Sequence, residues 1–338
     1  MVTTQFVNYK YYGRCLAIAN EALEVLVTAD VGPRIISFTP KGGSNLFFND
    51  EEDRLVSRGE VFESIFGPGA EFHFYGGHRL WLAPQYPLHT NVPDTEPLDV
   101  EVLPNGGVFT GKSNAVSGMR PRMTVTMDET EAKIAVTAEF LNTSGEVKHY
   151  APWQITQFAP GGVTFVPFGK RNDREPFEFT TERPAFRGPR PAMTKEALLT
   201  PLTPSKVFVL FDIAHLKDER LHLHNRHFVL KQDPELWRPF KAGMQNPEGF
   251  GLYAIGDYVV TAQHEYVPGG CYTDGGSSFE VYTGNAFMEI ETLGEYREVA
   301  PGECLTHTET LSVQKAKLPL PDLNDERAVH AFVWAHHE

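Results

Sequence analysis

The feature that most constrains this chain is how often it interrupts itself. It carries 29 glycines and 25 prolines in 338 residues. Between these breaks lie short runs rich in Val, Ile, Thr, Phe and Tyr: residues 23–29, 34–39, 122–127, 133–140, 154–158, 206–211, 258–264, 278–283 and 305–313. Most alternate apolar with polar residues, as in Met123-Thr124-Val125-Thr126-Met127 and Ile134-Ala135-Val136-Thr137-Ala138. Side chains on a strand alternate between its two faces, so a period of two predicts half-buried antiparallel strands. Many such strands in succession predict an all-β sandwich or barrel with few helices, because each sheet must bury its apolar face against another layer.

Helical periodicity is scarce. The clearest stretch is 324–336, where Asn324 is placed to cap and Val329, Phe332 and Val333 form one stripe. A weaker one spans 51–62. Residues 170–204 are rich in Arg, Pro and Glu and lack periodicity, which predicts a long surface excursion of the kind that covers binding sites. With no repeat, low-complexity tract or linker in view, residues 1–338 are expected to form one domain.

Composition narrows the partners. Hydrophobic residues make up 41% and charged residues 22%, the balance of a globular protein with a large core. A formal net charge of −14 opposes nucleic acid, whose binding rests on phosphate neutralisation, and anionic membranes. Neither is expected as a partner, although a local basic pocket is compatible with that total. Cys15, Cys271 and Cys304 are odd in number and lack CxxC spacing, so neither a zinc site nor a disulfide framework is expected. The opening Met1-Val2-Thr3-Thr4-Gln5 has no basic or apolar leader character, and no apolar run has the length of a membrane span. A cytoplasmic location is the expectation. The oligomeric state is open.

Two distant stretches carry the candidate chemistry. The first is Tyr75-Gly76-Gly77-His78-Arg79-Leu80-Trp81. The second is Tyr272-Thr273-Asp274-Gly275-Gly276, followed by Phe287-Met288-Glu289-Ile290-Glu291-Thr292. Together they offer an imidazole, a guanidinium, an indole and several carboxylates beside glycines, where backbone can approach a ligand. Those are the parts a carbohydrate site needs: planar donors and acceptors for hydroxyls, ring faces for stacking and acid/base groups for chemistry at the anomeric carbon. Glu289 and Glu291 are two apart and so share a strand face, where proximity would raise at least one pKa. Arg34, Arg79, Trp81, Trp153, Lys241 and Asp274 complete the set as binding groups. Each also has a structural reading: His78 and Arg79 as turn anchors, Arg34 as a partner of a structural carboxylate, Trp153 as core, Lys241 as a solvated lysine, Asp274 as a turn residue. The run His222-Leu223-His224-Asn225-Arg226-His227 invites a metal, but no third ligand is evident and solvated strand histidines are expected. No metal or cofactor is expected. The chain has no Walker loop, Rossmann fingerprint or Gly-x-Ser-x-Gly elbow.

The order of several motifs resembles the galactose mutarotase-like superfamily, which includes the aldose 1-epimerases. Residues 24–38 read as strand, glycine turn and strand, and lead to Gly43-Ser44-Asn45-Leu46. Phe140-Leu141-Asn142 followed by Ala151-Pro152-Trp153-Gln154-Ile155-Thr156-Gln157-Phe158 looks like the family's strand pair across its site. Phe287-Met288-Glu289-Ile290-Glu291-Thr292 looks like its late strand bearing a catalytic Glu, and Pro301-Gly302-Glu303 like its closing hairpin. The resemblance implies a β-supersandwich of many antiparallel strands with a sugar in a groove on one sheet. It implies an aldose 1-epimerase-like isomerase in which Glu289 or Glu291 is the general base. The family's acid is a His in the strand that here reads Trp153-Gln154-Ile155-Thr156-Gln157-Phe158, which has none. The acid is therefore assigned to His78, or the activity is a different one. The alternatives are a glycoside hydrolase or polysaccharide lyase on the same fold, and a non-catalytic protein that binds a sugar or oligosaccharide.

Overall fold

A computed structural model describes residues 1–168 and 207–337. The expected excursion at 170–204 lies outside the described residues. Two large antiparallel sheets dominate. The eleven-stranded sheet runs Thr3–Asn8, Arg14–Ala19, Leu23–Thr28, Arg34–Pro40, His78–Ala83, Lys148–Phe158, Met288–Leu293, Phe279–Thr283, Phe240–Met244 and Phe208–Leu210, with Arg297–Val299 branching from Lys148–Phe158. The ten-stranded sheet runs Leu221–Leu223, His227–Lys231, Val163–Pro167, Phe250–Ile255, Tyr258–His264, Cys304–Lys315, Lys133–Asn142, Met119–Met127, Gly106–Thr110 and Asp99–Leu103. Every expected strand run in the described residues lies on one of these strands, with ends differing by a few residues.

The sheets stack face to face. Alternate residues of both enter one core, including Val25, Ile35, Phe158, Phe240, Val281 and Ile290 from the first sheet and Met123, Val136, Val260 and Leu311 from the second. The pleat explains the pattern, since burial in Lys133–Asn142 alternates residue by residue. Lys148–Phe158 is different: from Tyr150 to Phe158 every residue is buried. A strand buried on both sides has something covering its second face, and that second face carries the candidate site.

Helices are few. Glu326–His337 lays Val329, Phe332 and Val333 on Val163, Phe165, Phe250, Leu252 and Val259, the outer face of the ten-stranded sheet. Its cap is Asp325, whose Oδ1 accepts from the N–H groups of Arg327 and Ala328, rather than the expected Asn324. The helix expected over 51–62 forms instead at Glu60–Phe66, after Gly59, whose φ of 108° no ordinary residue adopts readily. No helix of the described residues is long and apolar enough to cross a membrane.

Candidate functional site

The outward face of the eleven-stranded sheet is built by register. Arg79 and Trp81 project from His78–Ala83; Trp153, Ile155 and Gln157 from Lys148–Phe158; Glu289 and Glu291 from Met288–Leu293; Glu280 and Tyr282 from Phe279–Thr283; Lys241 from Phe240–Met244. Across the strands Trp81 stands opposite Trp153, Gln157 opposite Glu289, Glu289 opposite Tyr282, Glu291 opposite Glu280, and Tyr282 opposite Lys241. Arg79 and Glu289, 210 residues apart in sequence, thus become neighbours through period-two projection and strand order.

Charges on this face are paired, and nearly dry. Arg79 Nη2 donates to Glu289 Oε1 at 3.0 Å, and Gln157 Nε2 donates to the same oxygen at 2.8 Å. The Arg79 guanidinium lies 4.1 Å from the Trp81 ring centroid and 4.9 Å from that of Phe74. Lys241 Nζ sits 2.7 Å from Glu280 Oε2 and 3.0 Å from Glu291 Oε2, and 4.6 Å from the Trp153 ring. Arg34 lies at the edge of the face, held by Asp94 Oδ2 at 2.9 Å and by the carbonyls of Phe74 and His73. Among the carboxylates Glu289 keeps 7% of its surface exposed, whereas Glu280 and Glu291 keep none. That difference makes Glu289 the carboxylate an incoming molecule can reach.

Burial sets the proton affinities. It pushes Glu280 up to about 8, with Lys241 pulling the other way and Glu291 adding to the rise. It also raises Glu289, against the opposing pull of Arg79. Burial opposes charge on Lys241, yet Glu291 and Glu280 outweigh it and hold the ammonium charged well above its usual range. One cation faces two buried carboxyls, and burial favours the protonated form of Glu280.

Several polar atoms on this face have no partner among the described residues: Arg79 Nε and Nη1, Gln157 Oε1, Glu291 Oε1 and Trp153 Nε1. These atoms are closed to solvent as well, so the pairing of charges on this face is tight but not complete.

His78 is not on this face. It follows from the pleat: His78 and Arg79 are adjacent, so they project to opposite sides. The imidazole is fully buried between the sheets. Gln154 Nε2 donates to the carbonyls of Val136 and His307, which turns Gln154 Oε1 toward His78. His78 Nε2–H therefore donates to that oxygen at 3.0 Å, and Nδ1 accepts from Thr156 Oγ1 at 2.9 Å. Burial lowers its pKa to about 4, the Gln154 bond offsetting part of the shift. The expectation that His78 stands with Glu289 as an acid is corrected: it is a neutral member of an inter-sheet network.

The remaining candidates are placed as follows. Arg34, Arg79, Trp81, Trp153, Lys241, Glu289 and Glu291 share the outward face. Trp153 does not offer a free ring, since Lys241 lies over it. Asp274 sits in the turn before Phe279–Thr283 with a φ of 52°, its carbonyl bonded by Ser277 Oγ, and its charge reaches Glu280. The glycines preceding His78 approach protein rather than ligand: a Cβ on Gly76 would lie 2.2 Å from Phe48 O, and one on Gly77 2.2 Å from Ile35 O. His222 and His224 are tied to Asn324 Oδ1 and the Leu323 carbonyl, anchoring the C-terminal segment. No three His, Cys, Asp or Glu residues among the described ones are grouped to hold a metal ion.

Glu280, Tyr282, Gln157 and Asp94 were missed by the sequence reading. The signal for two of them was present. Phe279-Glu280-Val281-Tyr282 alternates, and a short turn separates it from Met288-Glu289-Ile290-Glu291. Folding that hairpin puts Glu280 and Tyr282 on the face of Glu289 and Glu291.

No family model and no curated protein matches the sequence. Solved structures do. A galactose mutarotase-like protein from Lactobacillus casei aligns over 89% of this chain and 100% of its own, at 11% identity and a TM-score of 0.53. The fold is galactose mutarotase-like. A TPR-domain containing protein from Parabacteroides distasonis aligns over 93% of this chain at 11% identity and a TM-score of 0.54, and this chain spans 50% of that one. The galactose mutarotase-like fold is therefore shared at an identity where likeness extends to architecture alone.

Proposed function

We propose that this chain binds a sugar on the outward face of the eleven-stranded sheet and interconverts its anomers, as an aldose 1-epimerase-like isomerase. The observation that carries the reading is the placement of a reachable, burial-raised carboxylate, Glu289, beside the polar groups of Arg79, Gln157 and Tyr282. Glu289 takes the proton of the anomeric hydroxyl. Arg79 fixes that carboxylate and places a positive charge beside the bound sugar. The Tyr282 hydroxyl, directly opposite Glu289 in the register, donates toward the ring oxygen as the ring opens, the role assigned from sequence to His78. Lys241, held charged by Glu280 and Glu291, stabilises negative charge developing on the ring oxygen. Three free thiols, that of Cys271 exposed, fit a reducing, cytoplasmic setting.

One observation favours a second reading. With His78 turned inward, the face lacks the family's acid, and a protein that binds a sugar without turning it over would keep the same pairing of charges. Proton NMR of freshly dissolved α-anomers separates the two. The isomerase reading expects accelerated approach to anomeric equilibrium, cut about a hundredfold or more by Glu289→Gln with binding largely retained. Binding without acceleration for any hexose, pentose or uronic acid would leave only the binding module.

A further inference from the structure

A cavity of about 280 Å³ lies where strands of both sheets end. Its walls come from residues just past Tyr258–His264 and Met288–Leu293, and from the start of Cys304–Lys315. None of the candidate residues of the outward face lines it. The volume suits an occupant of a few heavy atoms.

His307 is the buried ionisable member of this lining, 7% exposed. Thr292 Oγ1 gives its hydrogen to Glu309 Oε2 at 2.6 Å, so the hydrogen between Thr292 Oγ1 and His307 Nε2, 3.0 Å apart, belongs to the ring. Burial keeps the imidazole neutral, with a pKa lowered to about 3, and the nearby His264 and His78 add to the fall. A neutral ring protonated at Nε2 presents Nδ1 as a bare acceptor. Nδ1 makes no hydrogen bond among the described residues, and it is not closed to solvent as the stranded atoms of the Arg79 face are. A donor inside the cavity would complete it.

Glu265 and Glu295 stand in the same lining, and neither carboxylate has a hydrogen bond or ion pair among the described residues. Both reach Tyr272: burial raises its phenol, the Val267 N–H opposes the rise, and Glu295 and Glu265 add to it. Arg297 borders the cavity but donates to the Cys304 and Glu298 carbonyls, at 2.8 and 3.4 Å. Two carboxylates against one guanidinium leave the lining net negative, which opposes an anion. A neutral hydroxyl would satisfy Nδ1 and leave both carboxylates without a counter-charge. The described residues offer no group of three ligands for a metal ion. A protonated primary amine meets each demand, with one N–H for Nδ1 and its charge and remaining N–H groups for the carboxylates.

We propose that this cavity is a binding site for a small primary ammonium compound, with His307 Nδ1 accepting one N–H and Glu265 and Glu295 supplying the counter-charge. The inference stands apart from the sugar reading of the Glu289 face.

Putrescine and ethanolamine are the probes and butanediol the neutral control, titrated into the full chain at neutral pH and fixed salt with ligand-observed NMR. Saturable binding of at least one amine is expected, about tenfold or more tighter than butanediol. Glu295→Gln should weaken it about tenfold, and Glu265→Gln, at a more exposed position, about threefold. His307→Gln keeps a donor toward Thr292 and removes the Nδ1 acceptor, and should also weaken the amine about tenfold. Should that buried substitution unfold the chain, the two glutamate variants still decide. Butanediol bound as tightly as the amines, or no saturable binding, overturns the site. Amine affinity unmoved by both Glu265→Gln and Glu295→Gln also overturns it, and assigns the binding to the net charge of −14 instead.

Discussion

Lys241 Nζ, 7% of its residue exposed, is the one cation within 3.0 Å of Glu280 and Glu291 among the described residues. Removing one partner of a buried ion pair leaves charge with no compensation, which costs about 3–5 kcal/mol. Lys241→Met is therefore expected to destabilise the protein by that amount in urea unfolding at neutral pH. Adding Glu280→Gln and Glu291→Gln should recover most of the loss; a triple variant as unstable as the single one would show that packing, not charge, is the cause. At this scale the sequence was legible where the pleat was obeyed. Arg79 with Trp81, and Glu289 with Glu291, are two apart and do share a face. His78 is one residue from Arg79, so the same rule already excluded it from Arg79's side. What no single strand could show was pairing: Arg79 meets Glu289, and Lys241 meets Glu291, each across an intervening strand.

Among elements, His78–Ala83 depends on how the chain enters it. Gly76 and Gly77 have φ values of 100° and 73°, and their α-carbons pass against the Phe48 and Ile35 carbonyls. Gly77→Ala combines left-handed strain of about 1–3 kcal/mol with a clash against backbone that has no rotamer to yield. The expected outcome is a fall in thermal midpoint together with weakened sugar binding, because the strand that carries Arg79 and Trp81 must shift. A fully stable variant with wild-type affinity would refute this. The two glycines were visible in the sequence, and their reading as a ligand approach was reasonable chemistry. The neighbour turned out to be the chain itself, which no local pattern discloses. The C-terminal helix was legible because its stripe of Val329, Phe332 and Val333 has the helical period. Glu60–Phe66 was blurred because none of its residues is buried, so no stripe exists to fix its ends.

Across the whole molecule, the space between the sheets holds titratable groups as well as hydrocarbon. Glu309 accepts from Thr292 Oγ1 at 2.6 Å, lies 3.4 Å from Thr156 Oγ1 and 3.7 Å from His78 Nδ1, and has no exposed surface. Burial raises it to about 8, the Thr292 hydroxyl offsetting part of the rise. Burial also lowers His78 and His264 to about 4 and His307 to about 3. The signs follow from which state binds the proton. The histidines bind protons more readily when unfolded, so their contribution is lost as pH falls from about 6.5 toward 4. Glu309 and Glu280 hold protons in the folded state that the unfolded chain releases near 4.5, so their contribution drains away as pH rises toward 8. Stability is expected to peak near pH 6.5 and to fall by about 2 kcal/mol per carboxyl by pH 8. Thermal midpoints taken from pH 5 to 9 check this, and Glu309→Gln should remove about half of the alkaline decline. A midpoint still rising at pH 8 would contradict it. The two-layer β architecture was legible from alternation and turn density alone. The buried network was not, because Gln154, Thr156, Thr292 and Glu309 look like water-facing residues until the second sheet covers them.

Arg34–Pro40 pairs with His78–Ala83 only at Arg34 with Arg79 and Ile35 with His78, and the break at Leu80 has a consequence for solubility. An unpaired strand edge is a template for aggregation, and here one lies inside a sheet rather than at its rim. Asp94 is tied beside it at two points, its carbonyl accepting from Gly32 N–H at 2.8 Å and its carboxylate from Arg34. The Arg34–Asp94 pair thus holds the chain that borders that edge in place.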